Sequence, residues 1–217
     1  MNIAGLDLAT ASGFAVWKDV VTGTAITTTT FKAPTKKKNI LEGSKALDAV
    51  HEGNVGKTFE DALRVWLIDN KVEYVAIEAP IPSNNKRRER VVSPDADFAG
   101  QAITYIEKDG TSLAAIYRLY GLSFMACQVC NRLNIPTVLV AQQTWRKAFL
   151  GHGHPKDAKK EAVKMCRRLG IDISSVDCAE AVGVVHWLKG HLFPYSHAAN
   201  SLFNLPPTTK VPAPTAT

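Results

Sequence analysis

The stretch IAGLDLATASGFAVW, residues 3–17, contains two apolar segments on either side of a short turn that includes Ser12 and Gly13. Apolar and β-branched segments separated by small polar residues are typical of a β-hairpin, here with strands over residues 2–8 and 13–17. A third strand is predicted over residues 24–31, where threonine is frequent. The chain therefore starts with three consecutive antiparallel strands.

After residue 56, helical and strand patterns alternate. Apolar residues fall on one face of a predicted helix over residues 57–70, for which Thr58 and Asp61 form an N-terminal cap. Further helices are predicted over 112–133, 157–169 and 176–189, and strands over 73–79 and 135–141. Three hairpin strands followed by this alternation predict an α/β fold with a mixed five-stranded sheet, three antiparallel strands and then two parallel, flanked by helices.

The length of 217 residues suits one domain, which we place at residues 1–204. Aperiodic basic regions near 32–56 and 81–111 are interpreted as insertions, and the Pro- and Thr-rich segment 205–217 as a disordered tail. The N-terminal sequence lacks a signal peptide pattern, no segment is apolar enough to span a membrane, and the cysteines are few. We therefore expect a cytoplasmic protein with free thiols.

Two acidic residues interrupt strands that otherwise carry core residues. Asp7 lies in the apolar first strand, and Glu78 ends the strand over residues 73–79. An ionised carboxylate in such a position must be paired, hydrogen-bonded or bound to a cation, because its desolvation is costly. A turn cap for Asp7 and a core Arg partner for Glu78 are the alternatives. Two carboxylates on adjacent parallel strands favour a metal.

A second acidic pair opens the last predicted helix. Asp177 and Glu180 are three residues apart and so project from one helical face, although acidic residues in a first turn also complement the helix dipole. Together with Asp7 and Glu78 they form a set of hard oxygen ligands, which suits Mg²⁺ or Mn²⁺ better than zinc. We expect these four residues to be catalytic and to hold two ions, as in two-metal phosphodiester hydrolysis.

Basic residues indicate a polyanionic partner. The formal net charge is +6, and residues 145–168 contain eight basic and two acidic residues. Gly151 and Gly153 would allow backbone N–H groups to approach a phosphate, and His152 and His154 are candidate proton donors. The residues expected to contact DNA are Lys86, Arg87, Arg88, Arg146, Lys147, Lys156, Lys159 and Lys160.

These motifs resemble those of the RuvC-type Holliday junction resolvases of the ribonuclease H-like superfamily. The resemblance rests on residues 3–7 and 12–16, the strand 75–78 that ends in Glu78, the segment 177–181, and the basic segment from Trp145 to Lys159. The order and approximate spacing of the acidic motifs match. Glu180 departs from the family pattern, which commonly has Asp at that position, and the two basic insertions are further differences.

The resemblance implies a ribonuclease H-like fold and a homodimer that binds four-way DNA junctions and nicks them symmetrically with Mg²⁺ or Mn²⁺. It implies that Asp7, Glu78, Asp177 and Glu180 are the metal ligands and that the basic segment contacts phosphate. Three other functions stay open: a nuclease that acts on RNA or an RNA–DNA hybrid, a non-catalytic branched-DNA-binding module, and an actin-like ATPase. The chain is short for the last of these.

Overall fold

The computed structural model describes residues 1–23, 25–35, 49–80, 87–92, 103–108 and 113–194, with the main chain alone at 87–92, 103–108, 113 and 114. The elements in chain order are β1 (Ile3–Asp7), β2 (Ala11–Trp17), β3 (Ile26–Lys32), α1 (Ala49–Asp69), β4 (Tyr74–Glu78), β5 (Arg87–Val92), β6 (Ile103–Lys108), α2 (Leu113–Arg132), β7 (Thr137–Val140), α3 (Gln142–Leu150), α4 (Ala158–Arg168) and α5 (Val176–Leu192).

Five of the strands form one mixed sheet in the order β3-β2-β1-β4-β7. β1 pairs antiparallel with β2 and parallel with β4, which in turn pairs parallel with β7. Ser12 stabilises the turn between β1 and β2, because its hydroxyl accepts from the Ala9 N–H at 3.1 Å and donates to the Ala9 carbonyl at 2.8 Å. The predicted mixed sheet, with three antiparallel strands followed by two parallel ones, is confirmed.

Side chains alternate between the two faces of the sheet, as the two-residue repeat of a strand requires. In β1, Ala4 and Leu6 belong to a core shared with α1 and α2, whereas Ile3 belongs to a second core shared with α3, α4 and α5. α5 packs across β1, β2 and β4, and α3 and α4 pack against α5. Asp7, four residues after Ile3, therefore lies on the α5 face.

Four elements differ from the sequence-based prediction. α1 begins at Ala49 rather than near residue 57, and Thr58 is not its cap, because its hydroxyl donates to the Asn54 carbonyl at 2.8 Å within the helix. The antiparallel pair β5 and β6 lies in the region predicted to be irregular. α3 occupies a segment for which no helix was predicted; it ends at Gly151, whose φ of 87° favours glycine.

Some predictions concern residues that lie outside the described part of the chain or are described only by their main chain. Lys86 and the tail 205–217 lie outside them, and Arg87 and Arg88 are described by their main chain in β5. The domain limits therefore stay predictions. All four cysteines are free thiols, as expected. Among the described helices, none combines the length and the apolar character needed to cross a membrane. The cytoplasmic location also stays a prediction.

Candidate active site

Asp7 is the last residue of β1 and is only 8% exposed. Its strand is covered closely by α5 because two glycines face that helix. A Cβ atom at Gly5 would lie 2.4 Å from the Ala181 carbonyl oxygen, and one at Gly13, the β2 residue opposite Asp7, would lie 2.2 Å from the Asp177 carbonyl oxygen. Neither position therefore accepts a side chain, and this allows the first turn of α5 to approach Asp7.

Asp177 and Glu180 lie in the first turns of α5. The helix is capped by Ser175, whose hydroxyl accepts from the Cys178 N–H at 3.2 Å. One carboxylate oxygen from each of Asp7, Asp177 and Glu180 lies within 4.8 Å of the others. The structure thus brings together three of the four acids predicted to bind metal; we call these three the acidic triad.

Glu78 ends β4, one residue beyond the register pair Leu6 and Ile77, and so lies beside Asp7 at the same end of the sheet. Both of its carboxylate oxygens are hydrogen-bonded to α3. Gln142 Nε2 donates to Oε1 at 2.8 Å, and Trp145 Nε1 donates to Oε2 at 2.8 Å. Glu78 is not a member of the acidic triad, but it borders it.

The crowding of these acids in a buried place raises two pKa values. Burial, followed by the charges of Glu78 and Glu180, holds the pKa of Asp7 well above its usual range. Burial and the charge of Glu180 also raise the pKa of Glu78, although the hydrogen bonds from Trp145 and Gln142 oppose the change. In this site a negative charge is costly unless a cation is close.

Two basic residues supply positive charge within the site. Lys159 Nζ lies 2.6 Å from Asp177 Oδ1 and 3.4 Å from Glu180 Oε2. Burial alone would lower the pKa of Lys159, but the hydrogen bond to Asp177 and the nearby acids raise it overall. Arg146 Nη2 lies 3.5 Å from Glu180 Oε1, and its side chain is only 16% exposed. Both residues, predicted as DNA contacts, pair with acids of the site.

The site opens into a cleft of about 500 Å³. Asp7, Glu78 and Glu180 line it together with Lys156, Lys159 and other residues of the α4 N-terminus. Lys156 and Lys147 are exposed, and so is Lys160, which pairs with Asp157, the cap of α4. Of these three lysines, Lys156 lines the cleft.

Both candidate proton donors are exposed. His152 Nε2 lies 2.9 Å from Glu161 Oε2 on the surface, and His154 is solvent-exposed as well. His186 is buried in α5 between the rings of Trp17 and Phe149, with ring centroids 6.4 and 5.4 Å away, as expected of a structural residue.

The donor set fits a hard divalent cation. The triad offers carboxylate oxygens alone, which Mg²⁺ and Mn²⁺ accept, and no cysteine or histidine belongs to this group of ligands. A dication would also offset the repulsion that raises the pKa values of Asp7 and Glu78. The residues present could therefore hold Mg²⁺ or Mn²⁺.

Comparisons with known proteins identify the fold. No protein-family model matches the sequence, and no curated protein matches it significantly. Among solved structures, the chain is similar to Thermus thermophilus RuvC, with a TM-score of 0.54 and 18% identity over 89% of this chain and 97% of that one. It is also similar to T. thermophilus RuvC in complex with a Holliday junction substrate, with a TM-score of 0.57 and 13% identity over 89% and 96% of the two chains. The chain has a RuvC-type fold.

Proposed function

We propose that the chain is a divalent-metal-dependent endonuclease that resolves four-way DNA junctions by phosphodiester hydrolysis. The observation that carries the proposal is the acidic triad at the end of β1, with its three carboxylate oxygens within 4.8 Å of one another. The similarity in fold to a protein solved with a Holliday junction supports the choice of substrate. The basic residues that surround the cleft support a nucleic acid as the ligand.

In this proposal Asp7, Asp177 and Glu180 hold Mg²⁺ or Mn²⁺, and Glu78 adds a ligand from β4, with two ions in each site. When bound, the metal supplies activation of the attacking water and stabilisation of the leaving oxygen. Lys159 reduces the repulsion among the triad carboxylates, because it pairs directly with Asp177 and Glu180.

The lysines outside the triad have a different role. Lys147, Lys156 and Lys160 contact phosphates, which gives affinity that falls with salt and carries little sequence information. The predicted contacts Lys86, Arg87 and Arg88 belong to the same proposal. Such contacts suit recognition of a branched shape.

The proposed protein is a homodimer, because symmetric nicking of a four-way junction requires two sites. α2 offers a surface for the second copy. Tyr117, Tyr120 and Phe124 are spaced three and four residues apart, so they lie on one face of the helix, and they are 58%, 43% and 64% exposed. A row of exposed aromatic side chains is typical of a subunit interface. We define these three residues as the α2 aromatic row.

Cleavage assays with three substrates test the activity: a synthetic mobile four-way junction, an RNA–DNA hybrid and a linear DNA duplex, each with Mg²⁺. We expect the wild type to cut the junction. Asp7→Asn is expected to bind it with similar affinity and cut it slower by on the order of 10²–10³-fold, the usual effect of removing one electrostatic stabiliser of a transition state. Asp69→Asn, on the exposed surface of α1, is the matched control and should cut normally.

The same assays distinguish two of the alternative functions. Cutting of the hybrid alone would indicate a nuclease that acts on RNA–DNA hybrids, and junction binding without any cutting would indicate a non-catalytic module. An Asp7→Asn protein that cuts as fast as the wild type would refute the metal role of the triad.

A further inference from the structure

We propose that Trp145 and Gln142 are positioning residues that hold the Glu78 carboxylate in the orientation needed to bind a divalent cation. The proposal rests on the metal role of the acids and adds two residues for which sequence motifs assign no such role. Its geometric basis is that each oxygen of Glu78 accepts one hydrogen bond at 2.8 Å from a different side chain of α3.

The two donors fix the carboxylate but do not saturate it. An ionised carboxylate has about four lone-pair positions, so two hydrogen bonds leave about one free position on each oxygen. Gln142 and Trp145 are three residues apart in α3 and therefore donate from one helical face. Bonds at both oxygens restrict rotation of the carboxylate plane, which a single bond would not do. The free positions are thus oriented before a cation arrives.

The direction of the Trp145 N–H is itself set by packing against α5. Trp145 is fully buried, and its ring fills the space that a side chain at Gly183 would occupy, since a Cβ there would lie 2.6 Å from two ring carbons. Gly183 follows Glu180 by three residues in the same helix. α5 therefore contributes two acids of the triad directly and, through Gly183 and Trp145, also determines how Glu78 is presented.

Groups that hydrogen-bond a metal ligand typically change metal affinity or activity by about 10- to 100-fold when they are removed. Two substitutions remove the donors, and the loss of ring volume in Trp145→Phe is matched by the control variant Trp17→Phe. Trp145→Phe keeps an aromatic ring against Gly183 but lacks the N–H, and Gln142→Met keeps the length of the side chain but cannot donate. Each is expected to weaken Mn²⁺ binding about 10-fold or more.

Trp17→Phe is the matched control. Trp17 is also buried, and its Nε1 donates a hydrogen bond at 2.9 Å, but to the Gly23 carbonyl in the turn after β2 rather than to an acid of the site. Trp17→Phe removes a hydrogen bond from a buried indole N–H, as Trp145→Phe does, through the same substitution. A merely structural role for the indole N–H would therefore affect both variants alike.

The experiment is calorimetric titration of Mn²⁺ into the full-length, DNA-free protein and its variants, with urea unfolding of each in EDTA. We expect weaker Mn²⁺ binding for Trp145→Phe and Gln142→Met and wild-type binding for Trp17→Phe, even where unfolding shows equal losses of stability. Unchanged Mn²⁺ binding in both α3 variants, or equal weakening by Trp17→Phe, would overturn the proposal.

The titration also separates this proposal from the proposed function, because it needs neither DNA nor cleavage. A wild type that binds Mn²⁺ through these residues but cuts no junction would refute the resolvase activity and leave the role of Trp145 and Gln142 intact. If the wild type cuts junctions but both α3 variants bind Mn²⁺ normally, the resolvase activity stands and the role of Trp145 and Gln142 is refuted. Failure of the DNA-free wild type to bind Mn²⁺ would overturn this proposal, whereas the cleavage assay decides the proposed function separately.

Discussion

The two faces of the central sheet differ in how closely their helices approach the strands. On the α5 face, Gly5 and Gly13 leave no room for even a Cβ atom between strand and helix. On the opposite face, large rings separate the layers, with Phe59 of α1 packed edge-on against Phe14 and Phe31 at centroid distances of 6.1 and 5.3 Å. We call the α5 side of the sheet the close face and the side covered by α1 and α2 the wide face. The close face contains the acids, and the wide face carries the exposed aromatic row on α2.

This difference shows how a buried acidic site can be placed between elements that are distant in sequence. Asp and Glu have short side chains, so carboxylate oxygens from β1 and α5 can come within 4.8 Å of one another only if the two main chains are close. Glycines at the contact provide that closeness. The wide face needs no such contact and gains its stability from burial of aromatic and aliphatic area.

The largest effect is expected from adding a side chain where β2 contacts α5. Gly13→Ala places a Cβ atom 2.2 Å from the Asp177 carbonyl oxygen, where main chain rather than a flexible side chain must move. We expect a loss of about 3 kcal/mol or more in the free energy of unfolding, the upper end for overpacking. Urea unfolding measures it. Gly53→Ala, whose Cβ meets nothing within 4 Å, is the control and should not destabilise; equal effects at both positions would contradict the comparison.

The second prediction concerns the free energy of unfolding that is lost when the buried Asp7 on the close face ionises without a metal. Because burial and neighbouring acids raise the pKa of Asp7, the metal-free wild type should lose stability as the pH rises from the ordinary range, near 3.8, through that raised value. Asp7→Asn does not ionise, so we expect it to be more stable than the wild type at pH 7 in EDTA, with the difference shrinking toward pH 4.

Urea unfolding between pH 4 and pH 8 checks this dependence. The charge of Lys159 lowers the pKa of Asp7 but does not outweigh burial and the neighbouring acids, which raise it. Added Mg²⁺ should stabilise the wild type more than Asp7→Asn. A difference that widens toward low pH would show that the sign of the effect is wrong.

The third prediction tests the wide face. Phe124→Asp introduces a charge in the middle of the α2 aromatic row and should weaken self-association by roughly tenfold or more, the effect of about 1.4 kcal/mol. Stability of the fold should change little, because Phe124 is 64% exposed. Sedimentation equilibrium measures the association. Val21→Asp is the control, since Val21 is 68% exposed but lies in the turn after β2. Association that survives Phe124→Asp would exclude this surface as the dimer contact.

The smallest effect is expected from replacing glycine by alanine at one position in each of two helices. Gly121→Ala in α2 meets open space and should stabilise the protein by up to about 1 kcal/mol, the difference in helix propensity between the two residues. Gly183→Ala in α5 should instead destabilise it, because its Cβ would lie 2.6 Å from the Trp145 ring. Thermal unfolding resolves the two signs. Stabilisation by both substitutions would contradict the close packing of the Trp145 ring against Gly183.

Much of the fold could be predicted because strand periodicity is a local signal. The first hairpin, the parallel strands and the acids at the ends of β1 and β4 are visible within windows of a few residues. α3 was missed because its inner face is built from Trp145 and Phe149 among polar residues. The start of α1 was missed because Gly53 and Gly56 resemble a loop, although Gly56 packs in the structure against Met125 of α2.

The site could be predicted in its acids but not in its partners. Asp7 and Glu78 stand out because apolar strands rarely carry carboxylates. The hydrogen bonds of Glu78 join residues 64 and 67 positions apart in the chain, and no local pattern indicates them. Lys159 was predicted as a DNA contact, but it lies in the first turn of α4 and pairs with Asp177 and Glu180 of α5. Such long-range contacts depend on tertiary packing.

The bond between Trp145 and Glu78 has an optical consequence. Indole emission responds to the electric field of nearby charges, and Trp145 Nε1 lies 2.8 Å from a carboxylate oxygen. Neutralisation of Glu78 by a bound cation would change that field. A protein in which the other three tryptophans, Trp17, Trp66 and Trp187, are replaced by Phe would therefore report metal occupancy by its own fluorescence. The chain contains a built-in spectroscopic probe at the edge of its acidic site.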